Sequence, residues 1–217
     1  MRAIYPLRPR HYHEAREIFV KLTDDSCYRN CFHGEKLNII AHIISVKSEF
    51  QRFARAKKHK PHTINGRLME YCARFSDQLP RNTPEAEECA KTITAYLQKK
   101  IRCNPDYIWF DLRGKRITLT GIGEVKSHIN NIKYHHPQQT TRQERNVFAC
   151  MQPRIAASLF PAKRVSIAPD MKRYLIVPRN NNSYPYRLPD ELHYTWEIKE
   201  IEFTFEEMLF LKDYFLQ

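Results

Sequence analysis

Three charged residues near the middle of the chain have types and spacing suited to chemistry. Glu124 and Lys126 flank Val125 at the end of an apolar run. Side chains alternate along a β-strand, so the carboxylate and the ammonium face one side while Val125 faces the other. Asp106 lies upstream, directly after a proline, with residues 107–123 between it and Glu124. The Glu-Lys pair is either a surface ion pair, which contributes little to stability, or half of an active site.

Two carboxylates and a lysine suit the hydrolysis of phosphodiester bonds. This reaction puts extra negative charge on the phosphorus centre and the leaving oxygen, and divalent cations offset that charge. Mg²⁺ prefers oxygen ligands, so Asp106 and Glu124 would suffice together with a substrate phosphate. Lys126 would orient or help to deprotonate the attacking water and would stabilise the transition state.

The flanking sequence predicts the elements that position these residues. Two runs of β type, 105–111 and 116–126, are joined by a short turn that contains a glycine. They therefore form an antiparallel hairpin with Asp106 and Glu124 at the same end. Gly121 and Gly123 on the returning strand predict a bulge or a close backbone approach.

The remaining sequence predicts helices first and mostly strands later. Apolar residues recur at helical spacing in four early segments, which are 11–22, 34–58, 64–79 and 83–102. The segments after the hairpin are a helix over 137–151, strands over 163–169, 173–178 and 193–204, and a helix over 205–216 that Thr204 caps. This order indicates an α/β (mixed α+β) fold with a central mixed sheet flanked by helices.

The Pro-Asp pair, the hairpin and the acid-x-Lys triplet together resemble the PD-(D/E)xK nuclease superfamily. The resemblance covers mainly residues 104–148. It implies a restriction-endonuclease-like core, which we expect over residues 64–217, after a helical and basic N-terminal region over residues 1–63.

The resemblance also implies roles for individual residues. Asp106, Glu124 and Lys126 would be catalytic. Asp106, Glu124 and the backbone carbonyl of Val125 would bind Mg²⁺ or Mn²⁺. Such nucleases commonly carry an auxiliary acid on a preceding helix, and Glu70 is either that further metal ligand or a solvated helical glutamate.

A second set of residues also matches the bare pattern. Glu197 and Lys199 form another acid-x-Lys triplet, and Pro-Asp recurs at Asp170 and Asp190. Asp190 lies too close to Glu197 for a full hairpin, and a further strand intervenes after Asp170. Glu197 and Lys199 have the pattern of a solvated strand edge, so the first set is preferred.

The composition favours a polyanionic partner. The net charge is +12 and the isoelectric point is near 9.5, a balance typical of nucleic-acid binding. No apolar run approaches the length that spans a bilayer, so no membrane partner is expected. Basic and polar residues expected to bind nucleic acid are Arg55, Lys57, Lys58, Lys60, Lys133, Tyr134, Gln138, Gln139, Arg142 and Arg145.

The six cysteines indicate an intracellular protein with reduced thiols. Cys27, Cys31 and His33 lack a second cluster that would complete a zinc or iron–sulfur site. The N-terminal residues have charge but no central apolar block, so no signal peptide is expected.

The sequence therefore predicts a metal-dependent nuclease that acts on DNA in preference to RNA, by endonucleolytic cleavage. A homodimer or a partner protein is compatible with this prediction. Two alternatives stay open, namely an RNA endonuclease of the cap-snatching or decay type and a non-catalytic nucleic-acid-binding protein with the same fold.

Overall fold

The computed structural model describes residues 6–22, 33–56, 61–100, 103–127, 137–180, 186–188, 190–193 and 195–217. Within these ranges the chain forms nine helices and four strands. The helices are α1 (Pro9–Leu22), α2 (His33–Ser45), α3 (Lys47–Ala56), α4 (Pro61–Phe75), α5 (Pro84–Lys100), α6 (Pro137–Met151), α7 (Pro153–Leu159), α8 (Asp190–His193) and α9 (Phe205–Leu216). The strands are β1 (Tyr107–Arg113), β2 (Arg116–Val125), β3 (Arg164–Arg179) and β4 (Glu197–Thr204).

The four strands form one mixed sheet in the order β1-β2-β3-β4. β1 and β2 are antiparallel and form the predicted hairpin, whose turn carries Gly114 at a φ of 58°, a conformation that favours glycine. β3 is parallel to β2, and β4 is parallel to β3. The expected mixed α/β fold, with a central mixed sheet and flanking helices, is confirmed.

Helices cover both faces of this sheet. On one face, α1 to α4 and α9 form an apolar cluster with Trp109, Val125 and Ile176. On the other face, α5, α6 and α7 pack on Ile108 and Ile122. Because the two clusters use alternate residues of β1 and β2, both faces of the hairpin are buried. The chain is therefore layered as helices, sheet and helices.

The glycines of β2 make room for a tryptophan on β1. A Cβ on Gly123 would lie 2.7 Å from the Trp109 ring, and a Cβ on Gly121 would lie 2.9 Å from it. The β1–β2 register shifts between Trp109 and Phe110, where the hairpin bulges. The predicted close approach and bulge are both confirmed.

α4 packs against the sheet through an apolar stripe. Leu68, Cys72 and Phe75 are buried in the cluster that contains Trp109 and Val125. The helix starts earlier than predicted, at Pro61, and ends at Phe75. The prediction of a helix over 64–79 was therefore wrong at both ends, because the buried Leu79 belongs to the following turn.

At three other places the structure departs from the sequence prediction by more than two residues, whereas the ends of α1, β1 and β2 differ by one or two. The single helix predicted over 34–58 is two helices, because the chain turns at Val46, whose N–H donates to the Ile43 carbonyl at 3.1 Å. The two strands predicted over 163–169 and 173–178 are one strand, β3. Its pairing with β2 shifts in register at residues 168–171, which lie opposite the single residue Thr120. β4 begins at Glu197, after a turn, and not at residue 193.

The N-terminal helices share a core with the rest of the chain. Buried residues of α1, α2 and α3 belong to the same apolar cluster as those of α4 and α9. The predicted division between residues 1–63 and 64–217 falls inside α4 and stays a prediction. None of the helices in the described part of the chain has the length and apolar character needed to cross a lipid bilayer.

Candidate active site

The hairpin brings Asp106 and Glu124 together. Tyr107 pairs with Gly123, and this register continued by one residue sets Asp106 opposite Glu124. The Val125 N–H donates a hydrogen bond to Oδ2 of Asp106 at 2.8 Å. The antiparallel pairing therefore brings Asp106 and Glu124, which are 18 residues apart in the sequence, next to each other at the end of the sheet.

Lys126 and Glu124 form a buried ion pair. Nζ of Lys126 lies 2.7 Å from Oε1 of Glu124, and the two side chains are only 13% and 6% exposed. An exposed pair would contribute little, but charges withdrawn from water carry a desolvation cost that the pairing must offset. This burial does not fit the surface ion pair considered from the sequence, and a role of the pair in an active site stays a prediction.

A glutamine that the sequence analysis did not single out completes the contacts of Glu124. Nε2 of Gln143, on α6, donates to Oε2 of Glu124 at 2.9 Å and to the Asn104 carbonyl at 3.0 Å. Gln143 is buried, and it lies on the same helical stripe as the core residues Val147 and Cys150. A polar residue in an apolar stripe was the signal that could have identified it.

The electrostatics of the site favour the protonated form of Asp106. Burial raises the pKa of Asp106 well above its usual range, and the negative charges of Glu124 and Glu70 raise it further. The Val125 N–H and the Lys126 ammonium oppose this shift. Three carboxylates are thus close enough to repel one another, an arrangement that a bound cation would relieve.

Glu70 lies on α4 at the edge of this group. Its carboxylate accepts a hydrogen bond from Nη1 of Arg67 at 2.5 Å, while its backbone carbonyl accepts one from the Tyr107 hydroxyl at 2.8 Å. Burial raises the pKa of Glu70, Arg67 lowers it, and Glu124 raises it again. The Glu70 side chain is 37% exposed and pairs with Arg67 one helical turn away, so the metal ligand and the solvated helical glutamate both stay open.

A cleft of about 600 Å³ opens beside Asp106 and Glu70. Its walls come from α3, α4, α5 and the segment that leads into β1. Three cationic side chains line it, namely Arg67, Arg74 and Lys91. The sequence analysis did not single out these cations, because no basic run marks them and only the packing of the helices brings them to one cleft.

Two carboxylates and one backbone carbonyl near the end of the hairpin are oxygen atoms of the kind that could bind a divalent cation. Lys126 N–H donates to the Ile176 carbonyl of β3, so the neighbouring amide and carbonyl of Val125 face β1, where Asp106 lies. Asp106, Glu124 and this carbonyl would supply hard oxygen ligands. Within the described ranges, no group of three or more His, Cys, Asp or Glu side chains is arranged to hold a metal ion.

Half of the residues predicted to bind nucleic acid can be located. Those within the described ranges are all exposed, and they are Arg55, Gln138, Gln139, Arg142 and Arg145. Gln138, Gln139, Arg142 and Arg145 lie on α6, the helix that carries Gln143. Those outside the described residues are Lys57, Lys58, Lys60, Lys133 and Tyr134.

The alternative acid-x-Lys set lies in a different environment. Glu197 is exposed at the start of β4, and Nζ of Lys172 lies 3.9 Å from its Oε1. Asp170 and Asp190 are also exposed. This environment is typical of a solvated strand edge, whereas Asp106 and Glu124 are in contact with buried groups.

The free cysteines within the described residues are Cys72, Cys89, Cys103 and Cys150. Burial raises the pKa of Cys72 above its usual range and raises that of Cys150 to about 11, so both are poor nucleophiles. Cys27 and Cys31 lie outside the described residues.

Comparison of the chain with models of protein families, with curated proteins and with solved structures gives no match. Function is therefore argued from the geometry and chemistry of the site.

Proposed function

We propose that this protein is a nuclease that depends on Mg²⁺ or Mn²⁺ and hydrolyses phosphodiester bonds of nucleic acid, with DNA preferred to RNA and with endonucleolytic cleavage. The observation that carries the proposal is the meeting of Asp106, Glu124 and Lys126 at one end of the β1–β2 hairpin. These are the residues that carry the resemblance to the PD-(D/E)xK superfamily, and a core of the restriction-endonuclease type is part of the proposal.

Asp106, Glu124 and the Val125 carbonyl would hold the metal ion. A bound divalent cation supplies Lewis-acid stabilisation of the charge that develops on phosphate and lowers the pKa of water. The raised pKa of Asp106 supports this assignment, because carboxylates held close together in a buried site favour a cation between them.

Lys126 would act on the nucleophile and on the phosphate. Its ammonium is held 2.7 Å from Glu124, so it is already at the site before any substrate binds. From there it can orient the attacking water and donate hydrogen bonds to a non-bridging phosphate oxygen as negative charge accumulates.

The cleft beside Asp106 would receive the nucleic acid. Arg67, Arg74 and Lys91 on its walls are suited to phosphate contacts, which position a nucleic acid without reading its sequence. The exposed Arg142 and Arg145 of α6 offer further contacts. A net charge of +12 favours the approach of any polyanion.

An intracellular location, and a homodimer or a partner protein, belong to the same proposal. The free cysteines fit the reducing interior of a cell. A non-catalytic nucleic-acid-binding protein is the second candidate, because Glu124 already has two nitrogen donors as partners and Glu70 is bonded to Arg67.

A panel of substrates tests the proposal. Supercoiled plasmid, linear duplex, single-stranded DNA and RNA are each incubated with the protein in Mn²⁺ or in EDTA. We expect plasmid and duplex to be cut at internal positions in Mn²⁺ and to stay intact in EDTA. Binding of all four without cleavage would favour the non-catalytic candidate, and cleavage of RNA alone would favour an RNA endonuclease.

A further inference from the structure

Gln143 bridges two parts of the candidate site. Its Nε2 contacts Oε2 of Glu124 and the carbonyl of Asn104, two residues before Asp106. The residue is 3% exposed, so both hydrogen bonds are shielded from water. One amide group therefore joins the returning strand of the hairpin to the segment that delivers the other carboxylate.

The orientation of this amide is determined by its partners. The Glu124 carboxylate and the Asn104 carbonyl are both acceptors, so the NH₂ group of Gln143 must face them. Within the described part of the chain, Oε1 of Gln143 is buried and has no hydrogen-bond partner. A buried acceptor without a partner costs stability, so this arrangement is not the one that packing alone would favour.

A second amide on the same helix gives a natural comparison. Nδ2 of Asn146 donates to the Cys103 carbonyl at 3.0 Å, next to the carbonyl that Gln143 contacts. Nε of Arg173 donates to Oε1 of Glu144 at 2.6 Å and attaches the helix to β3. These two bonds attach α6 to the segment before β1 and to the sheet, and neither involves Gln143. What Gln143 adds is the hydrogen bond to the Glu124 carboxylate.

We propose that Gln143 is a positioning residue that fixes the Glu124 carboxylate for divalent-cation binding. The inference rests on the nuclease function proposed above. The hydrogen bond from Gln143 to Oε2 keeps the Glu124 carboxylate from rotating about its last side-chain bond. Oε1, the atom that Lys126 contacts, therefore stays directed toward the site. Outer-shell hydrogen bonds of this kind typically change metal affinity by about 10- to 100-fold when they are removed.

Thermal unfolding at increasing Mn²⁺ concentration tests this inference without a cleavage assay. Gln143→Met keeps the length of the side chain and removes its donors, whereas Asn146→Leu removes only the neighbouring helix-to-segment bond. We expect wild type and Asn146→Leu to gain melting temperature with similar Mn²⁺ half-saturation. Gln143→Met should need at least about tenfold more Mn²⁺ for the same gain.

Two results overturn the inference, and they differ from the result that overturns the function. An unchanged half-saturation in Gln143→Met contradicts the positioning role alone. An equal change in Asn146→Leu assigns the effect to the attachment of α6 and also contradicts it. If wild type itself gains no stability from Mn²⁺, the proposed metal-dependent function fails as well. Should Gln143→Met not fold, Gln143→Asn, whose shorter amide cannot bridge both partners, replaces it.

Discussion

At the residue scale, the candidate site holds like charges together in a buried place. Asp106 is near Glu124 and Glu70, and the net effect of burial and of these charges is a pKa well above its usual range. Residues selected for stability alone would avoid this arrangement. Local conflicts of this kind are expected where a group serves binding or catalysis.

This conflict predicts that Asp106→Asn stabilises the metal-free protein. A carboxyl whose pKa is raised on folding contributes stability below its ordinary pKa of 3.8, and that contribution is lost as pH rises through the folded-state pKa. Asparagine keeps an acceptor for the Val125 N–H but cannot ionise. In EDTA, urea unfolding should therefore give a larger free energy of unfolding for Asp106→Asn at neutral pH, with the difference disappearing below pH 3.8.

Asp111→Asn is the matched control, because Asp111 lies on the same strand in an exposed pair with Arg113 at 2.9 Å. Its effect at neutral pH should stay within about 0.5 kcal/mol. A neutral-pH loss of stability in Asp106→Asn would show that the carboxylate is favourably held, contrary to the raised pKa.

At the scale of elements, the hairpin depends on close contact between Trp109 and β2. The ring stacks on Tyr107 with a centroid distance of 5.7 Å and meets Tyr174 edge-on at 5.8 Å. Gly121 and Gly123 leave the space that this cluster occupies. Glu124 follows Gly123 directly. The packing of Trp109 on Gly123 therefore also affects where the Glu124 carboxylate lies relative to the sheet.

Two glycine-to-alanine substitutions test this packing. In Gly123→Ala the new Cβ would lie 2.7 Å from Trp109 and 3.0 Å from Ile176, so we expect a loss of about 1–3 kcal/mol. In Gly66→Ala, inside α4, nothing lies within 4 Å of the new Cβ, and a gain of about 0.5–1 kcal/mol is expected. Chemical unfolding measures both, and equal effects of the two substitutions would contradict the close approach.

Periodicity predicted most of the elements but not how they are interrupted. The helix over 137–151 and the final helix capped by Thr204 were predicted with their observed bounds, because proline and a capping box mark where they start. The break at Val46 and the continuity of β3 across residues 168–171 were missed. Both depend on tertiary packing and on pairing with a neighbouring strand, which local patterns do not encode.

The site was predictable where a short motif lies on one hairpin. Glu124 lies in β2, and Asp106 and Lys126 directly adjoin the paired ends of β1 and β2, so register alone brings them together. Gln143 and the cations of the cleft come from helices whose packing decides what they contact. The apolar stripe could have marked Gln143 as unusual, but no spacing rule connects α6 to Glu124, so the contact between the two became visible only in three dimensions.

At the scale of the whole molecule, the layered fold leaves the end of the hairpin accessible between helices. The cleft beside Asp106 has walls from α3 and α4, which lie on one face of the sheet, and from α5, which lies with α6 on the other face. Cationic side chains line the cleft and also project from α6. A nucleic acid that reaches Asp106 would therefore meet positive charge from two sides.

This distribution of charge predicts binding that is independent of metal but sensitive to salt. In EDTA, the logarithm of the affinity for duplex DNA should fall linearly with the logarithm of salt concentration, with a slope of about −0.9 for each phosphate contact. Fluorescence anisotropy measures this slope. Arg142→Ala should remove one phosphate contact and so make the slope less steep by about 0.9. An affinity unchanged between low and high salt would exclude a phosphate-binding surface.

The assignment of the active site is tested most directly by cleavage of duplex DNA in Mn²⁺ by three proteins. They are the wild type, Glu124→Gln, and Glu197→Gln, in which the acid of the alternative acid-x-Lys set is changed. Glu124→Gln keeps the size of a buried side chain and removes its charge, whereas Glu197 is exposed. We predict that wild type and Glu197→Gln cut DNA at similar rates and that Glu124→Gln, while still folded, does not cut. Full cleavage by Glu124→Gln would contradict the assignment of the site.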